Sequence, residues 1–367
     1  MVCEEKKCTG CMACVVACPK HAISIQDNIS YLNAIIDENQ CIGCAKCKTI
    51  CQQINPCKKS RPLFWKQGWA ADNDYRAEAS SGGVASALMY ATINKGGVVV
   101  SCELKNGRFI YSSATDKASI KRYIGSKYTK SNPLDAYKTV QYLLQNGKKV
   151  LFIGLPCHVA GIKKFIGEAL SSNLYLVDLI CHGTPSPELL NMFLMESGVD
   201  IKTLSKLTFR KKDSFHVSLE EKKIVPNSVV DRYTMGFLSG LFYTENCYTC
   251  QYASANRIGD LTIGDSWGSE IRAEVGRGIS LVLCNSKKGE ELLENSNLHL
   301  FDVDCNMAIM HNGQLDHPSV IPPEREKFFK TLREKKSFSK AIFYAYPKAC
   351  IKQEIKAFLI NCGFWKT

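Results

Sequence analysis

Eight cysteines within the first 51 residues follow one spacing that occurs twice. In each run, three cysteines are separated by two residues each, and a fourth follows after three more. Two-residue gaps let a tight turn direct three thiolates inward, which is what an iron–sulfur cluster requires of its ligands. Glycine at positions 10 and 43 helps each loop to turn closely. The two runs are Cys8, Cys11, Cys14 and Cys18, and then Cys41, Cys44, Cys47 and Cys51.

This repeat resembles the ligand run of bacterial-type ferredoxins that hold two [4Fe–4S] clusters, in which the fourth cysteine of each run binds the other cluster. Structural zinc fits the 2-2-3 spacing poorly. A disulfide framework would require a secreted context. We therefore predict two cluster sites: site I with Cys8, Cys11, Cys14 and Cys51, and site II with Cys41, Cys44, Cys47 and Cys18.

Four further cysteines are far apart in sequence. Cys157 follows a predicted strand at 150–154, and Cys181 follows another at 174–180. If these strands are parallel, both cysteines lie at the same edge of one sheet, where α/β folds assemble sites. Cys247 and Cys250 form a tight pair. Together the four could bind a third [4Fe–4S] cluster, and we name this set site III; buried structural cysteines and a zinc site remain open alternatives.

Two loops have the composition of ligand-binding loops. Ser80, Ser81, Gly82 and Gly83 precede a predicted helix, whose free amide groups could hold a phosphate or the edge of a flavin. Lys127 and Tyr128 add a cation and an aromatic ring. Neither loop is specific, because a Ser-Ser-Gly-Gly start is often only a helix cap. An ordinary dinucleotide-fold NAD site is unsupported, since no G-x-G-x-x-G follows a strand.

Two histidines each follow a cysteine of site III. His158 follows Cys157, and His182 follows Cys181. A surface position or a satisfied hydrogen bond is the favoured interpretation of both, and proton delivery is the alternative.

The charge is unevenly distributed. The chain has 367 residues and a formal net charge of +12, yet residues 1–57 contain five lysines and five acidic residues. Residues 324–367 contain 11 Lys and Arg against 4 Asp and Glu. This tail is predicted to be an amphipathic helix that packs on its own domain, rather than one that binds an acidic partner or an anionic surface. No motif suggests nucleic-acid binding. The apolar side of the predicted helix comprises Phe328, Phe329, Leu332, Phe338 and Ile342.

The chain shows no sign of export or membrane insertion. No stretch approaches the roughly 20 apolar residues of a membrane span, and the first residues lack the apolar segment of a signal peptide. Nineteen cysteines without an export signal indicate metal ligation in a reducing compartment. We expect a cytoplasmic protein without a transmembrane segment.

Strands and helices are predicted to alternate after a linker at 58–62, which favours a parallel sheet with right-handed crossovers. Helices are predicted at 82–95, 133–146, 159–170 and from 187, and strands at 97–102, 109–113, 150–154 and 174–180. Later strands at 204–210, 260–263 and 279–285 are expected to extend or flank that sheet. The predicted fold class is α+β and α/β: a small ferredoxin module, an α/β core that binds flavin and a cluster, and a C-terminal helical segment.

Several ordered segments resemble the coenzyme F420 hydrogenase/dehydrogenase beta-subunit family, also described as F420-reducing hydrogenase beta-subunit-like. The resemblance covers roughly residues 1–310 and divides the chain into a ferredoxin-type domain (1–57), a flavin domain (63–310, with parts 63–147 and 148–310) and a basic helical segment (311–367). Besides the cysteine runs it rests on SSGGVASAL (80–88), GSKYTKS (125–131), GLPCHVAGIKK (154–164), DLICHGTPSP (178–187), LTFRKK (207–212) and CYTCQYASANRIGDLTIGDSWG (247–268).

The resemblance implies FAD and a [4Fe–4S] cluster in the core. It implies that Cys157, Cys181, Cys247 and Cys250 bind the third cluster. Flavin contacts implied in the same way are Ser80, Ser81, Gly82, Gly83, Lys127 and Tyr128. Asp265 falls in a segment that approaches the flavin in the family, where it would be a polar group on the substrate side or a turn aspartate.

The function expected from this resemblance is that of an iron–sulfur flavoprotein oxidoreductase. It would take electrons from a ferredoxin or another redox protein and deliver them through clusters and FAD to a small organic acceptor that takes two electrons. The alternatives are a dehydrogenase that oxidises reduced F420, an electron-transfer subunit that docks to a partner reductase, and a scaffold that has lost its flavin. Use of F420 is not implied, because the stretch at 264–268 is closer to bacterial relatives and the family includes a plant chlorophyll-derivative reductase.

Overall fold

Strands and helices alternate through most of the computed structural model, which describes residues 1–212, 214–219 and 224–364. The strands are β1 (Ile23–Asp27), β2 (Leu32–Ile36), β3 (Phe64–Ala70), β4 (Val98–Lys105), β5 (Arg108–Ala114), β6 (Val150–Gly154), β7 (Leu174–Leu179), β8 (Leu207–Lys211), β9 (Ser214–Leu219), β10 (Leu261–Asp265), β11 (Ser280–Cys284) and β12 (Leu298–Asp302). The α-helices are α1 (Ala13–Ala17), α2 (Lys46–Ile50), α3 (Asn73–Glu78), α4 (Val84–Asn94), α5 (Lys117–Ile120), α6 (Leu134–Gln145), α7 (Pro156–Ile166), α8 (Pro187–Glu196), α9 (Arg232–Leu238), α10 (Lys287–Glu294), α11 (Cys305–His311), α12 (Arg325–Lys335), α13 (Phe338–Ala345) and α14 (Pro347–Asn361).

The N-terminal region consists of an antiparallel β1–β2 hairpin and two five-residue helices, α1 and α2. Each helix follows a cysteine loop and is preceded by a residue in the left-handed conformation, Met12 (φ 61°) and Ala45 (φ 58°). Cys18 and Cys51 end the two helices in extended conformations. The repeat in the sequence is thus also a repeat in the backbone.

The core is built on one eight-stranded mixed sheet in the order β12-β3-β11-β10-β7-β6-β4-β5. Its four central strands, β10, β7, β6 and β4, are mutually parallel. The outer strands pair antiparallel. The predicted parallel pairing is confirmed for β4, β6 and β7. Because β6 and β7 are parallel neighbours, the loops after them, which carry Cys157 and Cys181, start at the same edge of the sheet.

The strand predicted at 204–210 lies outside the large sheet, because β8 pairs with β9 in a separate two-stranded sheet. The chain reverses directly after β8, where Lys212 has a positive φ of 56°, so that β8 finds its partner locally. The other two late strands, β10 and β11, do join the large sheet.

The C-terminal tail forms three helices rather than one. α12 ends at Lys336, which is left-handed (φ 47°), and Pro347 starts α14 after a short break. The apolar residues predicted for this tail are all buried, in the same cluster as Tyr233 of α9 and the adjacent Phe242. The expectation that the tail packs on its own domain is therefore confirmed for α12 and α13. Among the described residues, no helix combines the length and the apolar character that crossing a membrane requires.

Candidate functional site

The cysteine loops of sites I and II have closely similar backbones. Gly10 and Gly43 both have φ of 69°, a conformation that residues with a side chain rarely adopt. Each glycine amide donates to the thiol sulfur two residues earlier, over 3.4 Å to Cys8 and 3.5 Å to Cys41. Amide groups directed at a sulfur stabilise the thiolate form that binds iron. The backbone therefore prepares both loops for the same ligand.

The four thiols predicted for site I lie close to one another. Burial raises the pKa of Cys14, and the charges of Cys11, Cys8 and Cys51 raise it further. A fifth thiol, that of Cys3, hydrogen-bonds to Cys51 and Cys8. The sequence did not assign Cys3 to any site, because it precedes the spaced run. Hydrogen bonds to ligand sulfurs are one way in which a protein adjusts cluster potential.

Site II lies at the surface. A small cavity is lined by all four of its predicted cysteines, Cys18, Cys41, Cys44 and Cys47. Cys41 and Cys44 are exposed, whereas three of the four cysteines of site I are buried. The charge of Cys47 also raises the pKa of Cys14 in site I. The two sites are therefore neighbours, and site II is the outer one.

The four distant cysteines of site III come together. Burial raises the pKa of Cys157 well above its usual value, and the charges of Cys181 and Cys250 add to this rise. The charge of Lys130 offsets only part of it. Burial and then the charges of Cys247 and Cys250 likewise raise the pKa of Cys181, to about 12. Among the described residues, no three Cys, His, Asp or Glu side chains are placed to share a single metal ion. A four-iron cluster distributes its thiolates around a cube, so its ligands need not meet at one point.

A buried ion pair fixes the loop that carries the second half of site III. Arg257 and Asp178 lie 2.6 Å apart (Nη2 to Oδ1) and both are almost fully buried. Arg257 also donates to the backbone oxygens of Tyr252 and Leu179, over 2.6 and 2.9 Å. Because Asp178 and Leu179 end β7, this pair ties the segment after Cys250 to the edge of the sheet.

Sites I and III are directly packed together. Gln52, which follows Cys51, donates from Nε2 to the backbone oxygen of Cys157 over 2.6 Å. On the other side, the hydroxyl of Tyr137 donates to the backbone oxygen of Cys11. A Cβ atom at Gly161 of α7 would overlap the Tyr137 hydroxyl and lie 3.4 Å from Cβ of Cys11. Glycine at 161 therefore allows the site I loop to approach α7, the helix that contains Cys157.

A cavity of about 450 Å³ lies beside site III, within the range of about 300–1,000 Å³ that is usual for small-molecule sites. Its wall includes Val84 and Ala85 from the first turn of α4, which no side chain caps. Free amide groups at a helix start favour an anionic group. Cys181 of site III is part of the same wall. Five of the six predicted flavin contacts line this cavity, namely Ser80, Ser81, Gly83, Lys127 and Tyr128.

Gly82, the sixth, faces the sheet instead. A Cβ atom there would lie 2.5 Å from the oxygen of Gly68 in β3 and 2.7 Å from the nitrogen of Ser280 in β11. Glycine is thus required at 82 for the loop to pack against the sheet. Its contribution to the cavity is to hold Ser81 and Gly83 in place.

Lys127 borders the cavity, but its ammonium group is engaged. It donates to the backbone oxygens of Tyr123, Ile124 and Gly125, over 2.5, 3.1 and 2.8 Å. An ammonium group has three hydrogens, so all are used within the loop. Burial lowers the pKa of Lys127 to about 8. Lys127 therefore shapes the loop directly and acts on a ligand through its charge.

Asp265 lies in the cavity wall and is paired. Its carboxylate accepts two hydrogen bonds from Arg210, over 2.5 and 2.9 Å. The guanidinium carbon of Arg210 is 4.7 Å from the ring centre of Phe215 and 5.1 Å from that of Trp267. This arrangement holds the Arg210 side chain in one place. Asp265 is a member of an ion pair rather than a free carboxylate.

The two histidines have different surroundings. His158 is fully buried, and burial lowers its pKa to about 3, so it is neutral. Its Nδ1 lies 3.0 Å from the hydroxyl of Tyr111. Tyr111 lines the cavity, which places His158 one layer behind the wall. His182 lines the cavity directly, and its backbone oxygen accepts from Ser319.

Three residues of this region were not identified from the sequence. Gln52 and Lys130 lie between sites I and III, and Arg210 pairs with Asp265. Lys130 and Arg210 lie in two of the segments that resemble the family, at 125–131 and 207–212. Their residue type alone does not distinguish them from lysines and arginines at the surface. Burial was the missing signal, because lysine and arginine are rarely fully buried without a specific partner.

Comparisons with known proteins find matches for both the N-terminal region and the core of this chain. Sequence models of the coenzyme F420 hydrogenase/dehydrogenase beta subunit match residues 66–138 (N-terminal part) and 147–300 (C-terminal part). A 4Fe-4S dicluster domain model matches residues 7–53. No curated protein shows a significant match. The fold is similar to that of a chain in a xenon-derivatised F420-reducing [NiFe] hydrogenase complex from Methanosarcina barkeri, with a TM-score of 0.52, 17% identity, and coverage of 76% of this chain and 94% of that one.

The two family models together span most of the core, and the dicluster model spans both cysteine runs. Over 76% of its length, the chain has a fold similar to that of this neighbour. The chain therefore belongs to the coenzyme F420 hydrogenase/dehydrogenase beta-subunit family and carries a 4Fe–4S domain.

Proposed function

We propose that this protein is a three-cluster iron–sulfur flavoprotein oxidoreductase that transfers electrons from a redox protein to a small organic acceptor. Bound clusters would supply one-electron transfer, and FAD in the cavity would couple it to a two-electron reaction. The observation that carries the proposal is the position of Cys181. It belongs to the four-thiol group of site III and to the wall of the cavity.

The order of the sites supports a path for electrons between the protein surface and the cavity. Site II is exposed, site I is buried behind it, and site I packs against site III through Gln52. Site III adjoins the cavity through Cys181. A redox partner would therefore dock at site II, where Ile42 is 59% exposed beside Cys41 and Cys44. Family membership alone leaves open whether that partner is a ferredoxin or a partner subunit.

The cavity residues would bind and orient FAD. The uncapped start of α4 and the charges of Lys127 and Lys212 favour an anionic group near Ser81. The Arg210–Asp265 pair, with the Arg210 guanidinium against Phe215 and Trp267, forms a fixed part of the cavity wall. Such a wall limits water and leaves one face of the cavity for the acceptor.

Anaerobic purification followed by cluster reconstitution tests the proposal. We expect about twelve irons per chain and bound FAD, because three four-iron clusters are assigned. Fewer than about eight irons together with no flavin would contradict it. Assays that supply reduced ferredoxin in one case and reduced F420 in the other then decide the direction of electron flow. Turnover only in the presence of a co-purifying subunit would indicate an electron-transfer subunit instead.

A further inference from the structure

A lysine is buried between two of the cysteine groups. Lys130 is 6% exposed, and its backbone nitrogen donates to the oxygen of Pro185. Its side chain extends from the core toward the site I loop, where Nζ donates to the backbone oxygen of Thr9 over 3.1 Å. A Cβ atom at Gly10 would lie 3.3 Å from Cδ of Lys130. The side chain therefore extends from the core to the loop that contains Cys8 and Cys11.

The charges around Lys130 belong to both cysteine groups. Burial lowers the pKa of Lys130, but the thiols of Cys247, Cys157, Cys8 and Cys181 more than offset this effect, so that its pKa is raised. Three of these thiols belong to site III, and Cys8 belongs to site I. No thiol of site II is among the main contributions. On the site III side, Pro185, whose oxygen accepts from the backbone amide of Lys130, directly follows Thr184, whose backbone oxygen lies 4.0 Å from the sulfur of Cys247.

A purely structural role would not require this residue type. Burying an ammonium group is costly unless negative charge compensates it. The one hydrogen bond to Thr9 could be made by a neutral amide, and the apolar stem could be replaced by methionine. Only a cation compensates the net negative charge on both sides, which is about −2 for an oxidised [4Fe–4S] core with its four thiolates. This negative charge increases by one unit when the cluster is reduced.

We propose that Lys130 is a positioning residue for electron transfer, whose buried positive charge stabilises the reduced state at sites I and III together and leaves site II almost unaffected. This inference rests on the proposed function, because it requires clusters at sites I and III. It adds that one side chain sets the two inner potentials jointly. A cation between two acceptors favours the arrival of an electron at either of them. The outer site would remain free to match its partner.

The test measures the midpoint potential of each cluster by EPR-monitored redox titration of the full chain. K130Q retains an N–H donor for Thr9 without the charge, K130M removes both, and K130R retains the charge. Signals are assigned with the C181A and C44A variants, which each lack one ligand. K288M is the matched control, because Lys288 of α10 is a partly buried lysine that donates to the backbone oxygens of Ser171 and Leu174, outside the cysteine groups.

We expect K130Q and K130M to shift the potentials of sites I and III to more negative values. The reduction equilibrium of each should change at least about tenfold, which corresponds to about 59 mV for one electron. Site II in these variants, and all three sites in K130R and K288M, should keep potentials near the wild-type values. Wild-type potentials at both inner sites in a fully loaded K130Q would overturn the inference, and so would a shift in K130R as large as that in K130Q. Failure of the proposed function is seen separately, as a wild-type protein that does not bind iron at site I or site III.

Discussion

The side-chain amide of Gln52 donates a hydrogen bond to the backbone oxygen of Cys157, with Nε2 and O 2.6 Å apart. Gln52 directly follows Cys51 of site I, and Cys157 belongs to site III. The amide oxygen of Gln52 accepts from the hydroxyl of Tyr252, two residues after Cys250. Gln52 is only 1% exposed. One buried amide therefore connects the ligand segments of two sites and keeps their separation constant.

Replacing Gln52 with leucine should destabilise the junction between the ferredoxin-type region and the core. The Cys157 oxygen and the Tyr252 hydroxyl would lose their partner in a buried place, at a cost of about 2–4 kcal/mol for the two groups. Denaturant unfolding of the loaded protein measures this change. Q53L is the matched control, since Gln53 is adjacent and only partly buried. Equal stability of Q52L and wild type would contradict the role given to Gln52.

The C181A variant should lose one cluster and retain two. The iron content should fall from about twelve to about eight per chain, because only site III loses a ligand. Iron analysis and EPR spectroscopy report the change. C284A is the control, since Cys284 is a buried core residue of β11 and should leave the iron content unchanged. An unaltered iron content in C181A would remove Cys181 from the ligand set.

The Arg210–Asp265 pair should show strong energetic coupling. Arg210 is buried and paired through two hydrogen bonds, so that removal of either partner leaves the other charge poorly compensated. A double-mutant cycle with R210M and D265N should give a coupling energy of about 1–3 kcal/mol in the free energy of unfolding. Strict additivity of the two single variants would show that Asp265 is available for another role.

A methyl group at position 161 should separate site I from α7. G161A would force the Tyr137 hydroxyl away from its position near Cys11, at a cost of about 1–3 kcal/mol. Thermal unfolding measures this cost. The double variant with Y137F should recover part of the stability, because the overlapping oxygen is removed.

The control for G161A is G276A. A Cβ atom at Gly276 would have no neighbour within 4 Å, and this glycine does not have a positive φ. G276A should therefore unfold at the wild-type temperature. A G161A protein that is as stable as G276A would show that the contact between site I and α7 tolerates a larger separation.

The affinity for FAD should decrease as the pH rises above about 8. Burial and the nearby charges of Arg76, Arg210 and Arg277 lower the pKa of Lys212 to about 8. Its Nζ lies 2.9 Å from the oxygen of Ser81, at the cavity loop. Lys212 is protonated below this pKa and neutral above it, and a bound anion would move the loss of charge to somewhat higher pH.

Loss of one charge-assisted interaction should weaken binding about tenfold, or about 1.4 kcal/mol. Flavin fluorescence titrations between pH 6.5 and 9.5 measure the dissociation constant. K212R should show a smaller loss in this range than the wild type, because arginine stays charged while Lys127, whose pKa is also about 8, still loses its proton. K212M should bind weakly at every pH. A wild-type affinity that is independent of pH would exclude Lys212 from FAD binding.

Much of the element order could be predicted from sequence. β6 was predicted with its observed bounds, and β4, β7 and α6 within a few residues, because short apolar runs and flanking glycines are local signals. The partner of β8 was not predictable in this way, since sheet membership depends on which strand lies nearby in space. The division of the tail at Lys336 was also missed. Lys336 has a left-handed conformation (φ 47°) that residues other than glycine rarely adopt, so its type gives no local signal for a helix end.

The sequence by itself determined sites I and II. Their ligands lie within one short loop each, so that spacing and two glycines suffice to bring three thiols together, and the fourth is close in the chain. Only the tertiary structure decided that Cys157, Cys181, Cys247 and Cys250 form one group beside a cavity, and that Lys130 lies between that group and Cys8. The physical reason is how far apart along the chain the interacting residues lie. Local spacing limits where a thiol can be, whereas burial and the charges that surround a side chain exist only after distant segments have packed together.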